Sequence, residues 1–432
     1  MQNVASTLLL LYTTGTLFSE AQADQSSQHS IHIAHNKTVH VSLKATVSGK
    51  PQNYLLRTVQ DINKFRQTLE EVSEMVELVL TQSFNTISTI YLKKNQFISK
   101  GFIQRYFSQT GEPIVEEVGV NNKTHSQCYF IGDPLRYEAV IMSLNLCNGA
   151  RGVIDISGTQ YFLRPVVQKL KVWHYLLKDK SDAFNNSLRC SVKSTQEHFT
   201  SAYTNAKNRS SREIRLPTGH NSSTRYIETY IVMDNAVYKK AGSVETATMM
   251  AADMINYANA IFQTVNIYLA LVGVEVWNDR DKIDYDGEYK RDDIVYDIEK
   301  LLTNIEAYRW RSLLPILPHD STHLFTGRST TGGVGKAPLY NICSRKYSAG
   351  VTYYGGDETE YVRPANTMTH EIGHTLGMRH DDESTCKCSY PDDPTYTRCV
   401  MADTSYRMYL CLLFVFFLSA PITATCWHIK TR

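Results

Sequence analysis

A short run in the last quarter of the chain places imidazoles and a carboxylate at a spacing that suits a metal ion. On a helix, His370 and His374 stand at i and i+4, so both side chains project from one face toward one ion. Gly377 allows the backbone to turn, and His380 then supplies a third nitrogen from the following loop. Because three protein ligands leave a fourth position for water, this pattern indicates a catalytic zinc site with Glu371 as its base.

The alternative interpretation of this run is an ordinary helix with satisfied histidines. A bare four-residue spacing arises by chance, but the longer pattern would appear in a random chain of this length on the order of once in ten thousand cases. Met368, Ile372 and Leu376 add an apolar stripe opposite the histidines. Met401 follows at the distance where a methionine turn would lie beneath the metal. We therefore interpret the run as the zinc centre of a peptidase.

Length and composition are typical of a secreted protein with more than one domain. The 432 residues are enough for about two or three domains, and a net charge of +2 gives no reason to expect a nucleic-acid partner. An apolar run from Leu8 to Leu11 and an Ala21-Gln22-Ala23 cleavage site predict a signal peptide over residues 1–23. Glycosylation sequons, consistent with the secretory route, begin at Asn36, Asn122, Asn185, Asn208 and Asn221.

There are nine cysteines, an odd number. Cys128 and Cys147 flank a strand-like region, 139–144, and predict a disulfide that closes a hairpin-like loop in an oxidising compartment. This pairing leaves Cys190 alone in the N-terminal half, where two interpretations are open. The thiol is either incidental or an inhibitory ligand whose thiolate takes the open zinc position. Its place about 25 residues before a basic site favours the second.

A basic motif in a linker rich in Ser and Asn marks a candidate processing site. The run from Arg212 to Arg215 has the R-x-x-R pattern, so cleavage by a furin-like protease is expected after Arg215. The overlapping run from Arg209 to Arg212 is an alternative site, and a basic linker without this role is a third interpretation. Cleavage after Arg215 would separate an N-terminal region, 24–215, from a second region, 216–407.

The second half of the chain alternates between strand-like and helix-like segments. Segments rich in β-branched, aromatic or continuous apolar residues predict strands at 226–233, 267–277 and 323–326. Ser243 can cap the helix that follows the first strand. A second helix would carry on one face Ile294, Ile298, Leu301 and Ile305. This alternation predicts an α/β (α+β) fold with a mostly parallel sheet and helices packed on it.

The chain resembles the ADAM and snake-venom reprolysin family of metzincin zinc metalloproteases. The resemblance extends from about residue 55 to about residue 408 and is strongest in the zinc motif, where Asp381 follows the third histidine. Other matching stretches are Leu271 to Asn278, Cys343 to Ser348, Cys128 to Phe130 and Cys147 to Gly152. The resemblance implies a metzincin-type mixed, mostly parallel twisted sheet with packed helices and a zinc-bearing helix, preceded by a β-rich pro-domain.

The resemblance also implies an activity and assigns its residues. The protein would be a zymogen whose pro-domain is removed after Arg215, and then a zinc endopeptidase that cuts extracellular proteins or shed ectodomains. Glu371 matches the family's general base, and Met401 matches its methionine turn. The residues that match the zinc ligands are His370, His374 and His380.

Cysteines and acidic residues carry further implications of the resemblance. Cys190 lies where the family keeps its cysteine switch, although Ser191 replaces the usual glycine. Two residues match a family disulfide beside the active site, Cys388 and Cys399. Two others match ligands of a calcium (Ca2+) site found in many members, Glu228 and Asp281. The substrate is expected to lie extended against a sheet edge near residues 323–326.

The C-terminal end differs from the family. After Arg407 the sequence enters an uncharged run, 408–427, within a tail of residues 408–432. Three interpretations are open: a transmembrane anchor with Lys430 and Arg432 at its cytoplasmic end, an abnormal terminus from a truncated message, or a buried helix that replaces a lost one. The protein is accordingly expected to be secreted or held at the cell surface.

The same difference opens a second hypothesis for function. The family segment that is not matched here provides partners for Cys343 and Cys386 and part of the substrate pocket. The chain could therefore be a non-enzymatic decoy that binds metal or partners without turnover. The intact zinc motif favours an enzyme instead.

Overall fold

A computed structural model describes the chain at residues 37–83, 85–117, 127–133, 135–137, 140–156, 159–178, 225–285, 287–290, 293–342, 344–356, 361–380, 400–401 and 430–431. We call residues 37–178 the N-terminal unit, and residues 225–380 with 400–401 the C-terminal unit. Several sequence predictions lie outside the described residues: the signal peptide, the tail before residue 430, Cys190, Arg215, Cys388 and Cys399.

The N-terminal unit is built almost entirely from strands. They are β1 (Lys37–Val47), β2 (Lys50–Leu55), β3 (Val72–Gln82), β4 (Asn85–Lys94), β5 (Ile98–Phe107), β6 (Pro113–Glu117), β7 (Tyr129–Gly132), β8 (Ser143–Asn145), β9 (Arg151–Ile156), β10 (Thr159–Gln168) and β11 (Lys171–Lys178). Nine of them form an antiparallel sheet in the order β11-β10-β9-β8-β7-β4-β3-β1-β2. Because β11 also pairs with β1, this sheet closes on itself.

Alternation along the strands fills the interior of this closed sheet. Along β1, for example, every second side chain is buried, at Val39, Val41, Leu43 and Ala45. Helix α1 (Val59–Thr68) packs its buried Ile62 and Phe65 into the same core. Its first turn is held by a capping box, in which the Thr58 hydroxyl accepts from the backbone N–H of Asp61 and the Asp61 carboxylate accepts from that of Thr58.

Cys128 and Cys147 are joined by a disulfide in the N-terminal unit, and both sulfurs are buried. The bridge ties the start of β7 to the residue pair that follows β8. Within the described residues, the strand predicted over 139–144 is observed only as β8. The disulfide therefore closes a loop around a shorter strand than the composition suggested.

The C-terminal unit alternates strands and helices. Its strands are β12 (Arg225–Met233), β13 (Ile267–Val276), β14 (Gly287–Lys290), β15 (Asp293–Asp297), β16 (Ser321–Thr326), β17 (Thr330–Thr331), β18 (Gly335–Lys336) and β19 (Ala349–Tyr353), and β20 (Lys430–Thr431) pairs with β12. Its helices are α2 (Asn235–Ala241), α3 (Val244–Phe262), α4 (Ile298–Tyr308) and α5 (Val362–Thr375), with a 3-10 turn at Gln263–Val265 and a π turn at Arg309–Leu313.

The main sheet of this unit has the strand order β18-β19-β16-β12-β13-β5-β6. The pairs β12–β13, β12–β16, β16–β19 and β13–β5 are parallel, whereas β18–β19 and β5–β6 at the two edges are antiparallel. Two of these strands, β5 and β6, come from the N-terminal unit. The mixed α/β class predicted from the sequence is confirmed.

Most element predictions for this unit agree with the structure, but one is wrong. The predicted strands correspond to β12, β13 and β16, and Ser243 caps α3 by accepting from the Thr246 N–H. Ile294, however, is not on the helical face with the residues that follow it. It lies in β15 opposite Tyr289 and is 44% exposed. The helix begins only after Asp297, whose carboxylate accepts from the Glu299 N–H and so caps α4.

Helices α3 and α5 lie together against the main sheet. Helix α3 is buried on nearly all sides because the C-terminal sheet lies on one side and β7 and β8 of the N-terminal unit lie on another. Helix α5, which carries the histidine motif, packs on α3 and β19. Its buried stripe of Met368, Ile372 and Leu376 belongs to the same core cluster as the apolar side chains of α3. Among the described helices, none is both long and apolar enough to cross a membrane.

Candidate metal centre

Helix α5 and the turn after it bring three imidazoles to one point. The Nε2 atoms of His370 and His374 each lie 3.1 Å from Nε2 of His380. The three potential ligand atoms lie within 4.8 Å of one another, and no other group of three or more His, Cys, Asp or Glu side chains in the described ranges comes as close. The predicted pair on the helix and the predicted third residue from the loop therefore do meet.

Backbone carbonyls orient two of these rings. Nδ1 of His370 lies 2.7 Å from the Val400 carbonyl oxygen, and Nδ1 of His374 lies 2.7 Å from that of Met378. Since a carbonyl oxygen can only accept, each Nδ1 holds the proton and donates it. Each Nε2 is then left with the lone pair that a metal ligand needs.

Burial also keeps these two rings neutral. Burial, with the neighbouring imidazole of His374, lowers the pKa of His370 well below 6.5. Burial likewise lowers the pKa of His374 to about 4, although its bond to the Met378 carbonyl acts in the other direction. Because metals bind neutral imidazole, both side chains are in the binding form at neutral pH.

The geometry and chemistry of this donor set fit zinc. A tetrahedral ion with Zn–N bonds of about 2.0–2.1 Å places its ligands about 3.3 Å apart. The observed 3.1 Å between nitrogens is close to that spacing. Three imidazoles would fill three of four positions and leave one for water or substrate, as in catalytic zinc sites. The residues that would hold the ion are therefore His370, His374 and His380.

Glu371 is fully buried on the same helix, and its carboxylate faces the edge strand β18. A Cβ placed on Gly335 of that strand would lie 2.3 Å from Oε1 of Glu371 and 2.5 Å from Cγ2 of Thr367. Space for the carboxylate therefore exists because residue 335 has no side chain. The sequence analysis did not identify Gly335, and its only local signal was the glycine-rich run over 332–335.

Met401 lies against the middle of helix α5, which carries the histidine motif and is called the zinc helix below. A Cβ on Gly373 would lie 2.6 Å from the Met401 sulfur, so the glycine between the two histidines is what allows the close contact. The preceding residue, Val400, supplies the carbonyl that orients His370. Met401, which the sequence predicts in a methionine turn, thus lies beside the helix, and Val400 contributes a backbone acceptor that the spacing alone did not reveal.

The turn after α5 depends on close packing between Gly377 and Tyr340. Gly377 has a φ of +98°, and the ring of Tyr340 occupies the space where a Cβ would lie. The Tyr340 N–H donates to the His374 carbonyl over 3.0 Å. These contacts tie the preceding loop to the helix end and support the turn that returns His380 to the site. Tyr340 was not identified from the sequence.

The sheet edge beside this centre is not the predicted one. Residues 323–326 belong to β16, which has hydrogen-bonded neighbours on both sides, β12 and β19. His323 itself is buried against Thr352, and burial lowers its pKa to about 3. The edge strand next to α5 is β18 instead. The prediction failed because composition identifies a strand but does not determine its place in the sheet.

The structure also separates the two residues predicted to bind calcium. Glu228 lies in the first half of β12, whereas the carboxylate of Asp281 accepts from Asn235 and Arg328 beyond the other end. From Glu228 to Met233 the strand alone rises by roughly 16 Å, at about 3.3 Å per residue. One ion with Ca–O distances of about 2.3–2.6 Å cannot contact both side chains. The paired assignment is therefore wrong.

Another carboxylate lies beside Glu228. The Asp320 side chain accepts from the Glu228 N–H over 2.9 Å, and its own N–H donates to the Glu228 carbonyl over 2.9 Å. This residue immediately precedes β16, the parallel neighbour of β12. Sequence reasoning missed Asp320 because the contact depends on strand pairing between distant segments.

Comparison with known families agrees with this geometry. Residues 225–412 match the family model described as reprolysin (M12B) family zinc metalloprotease. The matched segment includes β12, the zinc helix, the three histidines and Glu371. The resemblance recognised from the sequence is confirmed, since residues 225–412 are similar to a family of zinc metalloproteases.

Curated relatives extend the likeness beyond the matched segment. The zinc metalloproteinase-disintegrin-like atrase-A of Naja atra is 26% identical over 73% of this chain and 48% of its own length. The disintegrin and metalloproteinase domain-containing protein 12 of Mus musculus is 29% identical over 69% of this chain and 32% of its own length. The disintegrin and metalloproteinase domain-containing protein 9 of Homo sapiens is 26% identical over 80% of this chain and 41% of its own length. The chain thus spans less than half of these relatives.

A solved structure described as "Structure of a chaperone-substrate complex" also aligns with part of the chain. It covers 43% of this chain and 29% of its own, at 16% identity and a TM-score of 0.32. That score is too low to support an argument about fold or function.

Proposed function

We propose that the protein is a zinc endopeptidase that hydrolyses peptide bonds of extracellular proteins or ectodomains. The observation that carries the proposal is the convergence of three imidazoles at one point, with a buried carboxylate on the same helix. The match of residues 225–412 to the reprolysin family model supports it. The fold alone would not, since one fold can carry unrelated activities.

In the proposed reaction, Glu371 moves the proton. A zinc ion held by His370, His374 and His380 would supply Lewis acidity, which would polarise the scissile carbonyl and lower the pKa of water from about 15.7 to about 7. The carboxylate of Glu371 accepts a proton from the attacking water and then donates it to the leaving amine nitrogen. The fixed tautomers of His370 and His374 hold both rings in place while this happens.

The edge strand β18 is the proposed guide for the substrate. An extended peptide can add to a sheet edge through backbone hydrogen bonds, which position the scissile bond without restricting its side chains. β18 lies beside Glu371, with Gly335 in contact with the carboxylate. A peptide added to this edge would therefore pass in front of the zinc helix.

The proposal includes synthesis as a zymogen in the secretory pathway. Its divisions are a signal peptide (1–23), a pro-domain (24–215), a catalytic domain (216–407) and a tail (408–432). A furin-like protease would cut after Arg215, and Cys190 would block the zinc position before that cut. The buried Cys128–Cys147 disulfide supports an oxidising compartment, and the protein would act in secreted or cell-surface form.

Hydrolysis of a quenched peptide by the purified chain, cut after Arg215, tests the activity. We expect turnover that a chelator abolishes and that Glu371→Gln lowers by about 100-fold to 10,000-fold with zinc still bound. Glu245→Gln, which changes an exposed carboxylate at the start of α3, is the matched control and should retain activity.

Two outcomes would overturn the proposal. Retained cleavage by Glu371→Gln would mean that another group moves the proton. Zinc bound at one equivalent without turnover in the wild type would favour the non-enzymatic binding protein instead. Metal content is therefore measured by atomic absorption on every sample.

A further inference from the structure

Two strands of the N-terminal unit lie outside its own sheet. β5 pairs in parallel with β13 of the C-terminal unit, and β6 pairs with β5, so one sheet runs through both units. The Leu271 N–H also donates to the Phe97 carbonyl over 2.8 Å, and the Asn278 side chain exchanges two hydrogen bonds of 2.7 Å with the backbone of Phe107. The N-terminal unit therefore covers one edge of the C-terminal sheet by strand addition.

A buried ion pair lies at this junction. Nη1 of Arg105, on β5, is 2.6 Å from Oε2 of Glu275, on β13, and the two side chains are 10% and 0% exposed. Oε1 of Glu275 accepts from the Trp277 indole and the Tyr308 hydroxyl, each over 2.6 Å. Burial raises the pKa of Glu275, although Arg105 and both donors oppose that shift. Departure of β5 would leave the carboxylate without its cation, which is costly in a buried site.

Helix α3 directs polar side chains into the same interface. Asp253 accepts from the Asn145 amide over 2.9 Å and lies 3.5 Å from Nε of Arg151. Asn256 has hydrogen bonds with three residues of the N-terminal unit, Asn95, Phe130 and Leu144. Both α3 residues are buried. Because buried polar groups need partners, this helix face is built to be covered by the N-terminal unit.

The apolar core is also continuous across the two units. One cluster of buried residues contains the apolar side chains of α3 and α5 together with five from the N-terminal unit, Phe97, Phe102, Tyr129, Ile141 and Val153. Beside it, the ring of Phe162 contacts that of Tyr361, at the start of the zinc helix, with 5.6 Å between centroids. Separation of the units would expose part of this core and remove a support of the zinc helix.

A shared sheet, a buried ion pair and a shared core are features of permanent interfaces, whereas the contacts of transient ones are smaller and more polar. We infer that the N-terminal unit stays bound to the C-terminal unit after the linker, residues 179–224, is cut, as a non-covalent subunit of the mature protein. The surface that holds it is the β13 edge with the adjacent face of α3. This inference goes beyond the proposed zymogen, in which the cut only frees the zinc position.

A site-specific cut in the folded full chain tests the inference. A recognition sequence for an exogenous protease is placed in the linker, the purified protein is cut, and the product is examined by size-exclusion chromatography and denaturing gel. We expect both fragments in one peak at the mass of the uncut chain. Two separated peaks would overturn the inference. The readout does not involve peptide hydrolysis, so it is independent of the proposed activity.

Variants at the interface test which contacts hold the fragments. We expect Arg105→Ala to raise the dissociation constant of the cut protein, measured by dilution of labelled fragments, by at least about 100-fold. Lys44→Ala removes the exposed partner of Glu77 within the N-terminal unit and should leave it unchanged within about 2-fold. An unchanged constant for Arg105→Ala would contradict the role of the ion pair.

A milder variant covers the case in which Arg105→Ala does not fold before the cut. Gln104→Ala removes one hydrogen bond of 3.0 Å, from the Gln104 amide to the Thr248 hydroxyl on α3. We expect its dissociation constant to rise by about 3-fold to 10-fold. Circular dichroism of each uncut variant verifies the fold, and no rise for this variant would count against the interface.

Discussion

The two edges of the main sheet of the C-terminal unit differ in what covers them. At one edge β18 contains only Gly335–Lys336, lies beside the zinc helix, and is the terminal strand among the described residues. At the other edge the long strand β13 is covered by β5 and β6 from the N-terminal unit. An unpaired edge can bind extended chains, so the proposed peptidase would benefit from one edge that ends the sheet and a second edge that is protected.

The comparison shows that backbone pairing at a sheet edge can serve two purposes: it holds the two units together at β13, and it is proposed to bind substrate at β18. On the covered side, side chains reinforce the backbone pairing, above all the Arg105–Glu275 ion pair. At the β18 edge, a side chain is missing where Glu371 needs space, at Gly335. Cohesion of the two units therefore depends on added contacts at one edge, and the proposed catalysis would depend on a gap at the other.

A methyl group added at the β18 edge should have the largest effect. Gly335→Ala places a Cβ within 2.3 Å of the Glu371 carboxylate, so the strand or the zinc helix must shift. Because a misplacement of about 1 Å costs on the order of 100-fold in rate, we expect turnover of the quenched peptide to fall by about 100-fold. Zinc content should be unchanged, since the histidines are not contacted.

The covered edge offers the matched control for that change. Gly101 lies on β5, and a Cβ there would meet nothing within 4 Å. Gly101→Ala should therefore leave turnover unchanged. Equal losses in both variants would show that the two edges do not differ in the way proposed.

The N-terminal unit, which covers the β13 edge, has a buried histidine in its core whose charge depends on pH. Nε2 of buried His174 accepts from the Ala150 N–H over 3.2 Å, and burial lowers the pKa of His174 from 6.5 to about 4. The folded state thus binds fewer protons, so stability is full above pH 6.5 and is lost as the pH falls toward 4. We expect the free energy of unfolding to fall by about 2 kcal/mol between neutral pH and pH 5 from this group alone.

Urea denaturation of the wild type and His174→Gln at both pH values isolates this contribution. The variant lacks the titrating ring, so its stability should depend less steeply on pH than that of the wild type. Parallel pH profiles would mean that His174 is not the responsible group. The other buried histidines are present in both proteins and cancel in the difference.

Loss of the aromatic contact between the N-terminal unit and the start of helix α5 should have the smallest effect. Phe162→Leu keeps an apolar side chain but removes the edge-to-face contact with Tyr361, and such aromatic pairs contribute about 0.5–1.5 kcal/mol beyond the area they bury. We expect a fall in thermal stability of that order and a small loss of turnover through the start of α5. Val167→Ala, at a position 55% exposed on the same strand, is the control. A turnover loss as large as that of Gly335→Ala would mean that the covered side controls the active site.

Local patterns were enough for several elements of the C-terminal unit and for the three histidines that meet at one point. The strands β12, β13 and β16, the Ser243 cap and the histidine spacing all depend on residues within a few positions of each other. Ile294 shows the limit, since its helical spacing was outweighed by the Asp297 cap and by pairing with Tyr289. A helical period cannot specify where the helix starts when a strand precedes it directly.

By itself, the sequence determined the chemistry of the site: two histidines one helical turn apart, a third after a glycine, and the carboxylate between them. Tertiary structure alone decided which sheet edge lies beside that site, that β5 continues the C-terminal sheet, and that Asp320 rather than Asp281 lies next to Glu228. The physical reason is the range of the hydrogen bonds. A helix bonds within four residues, whereas a strand can pair with any compatible edge, and only the packing of the whole chain selects one.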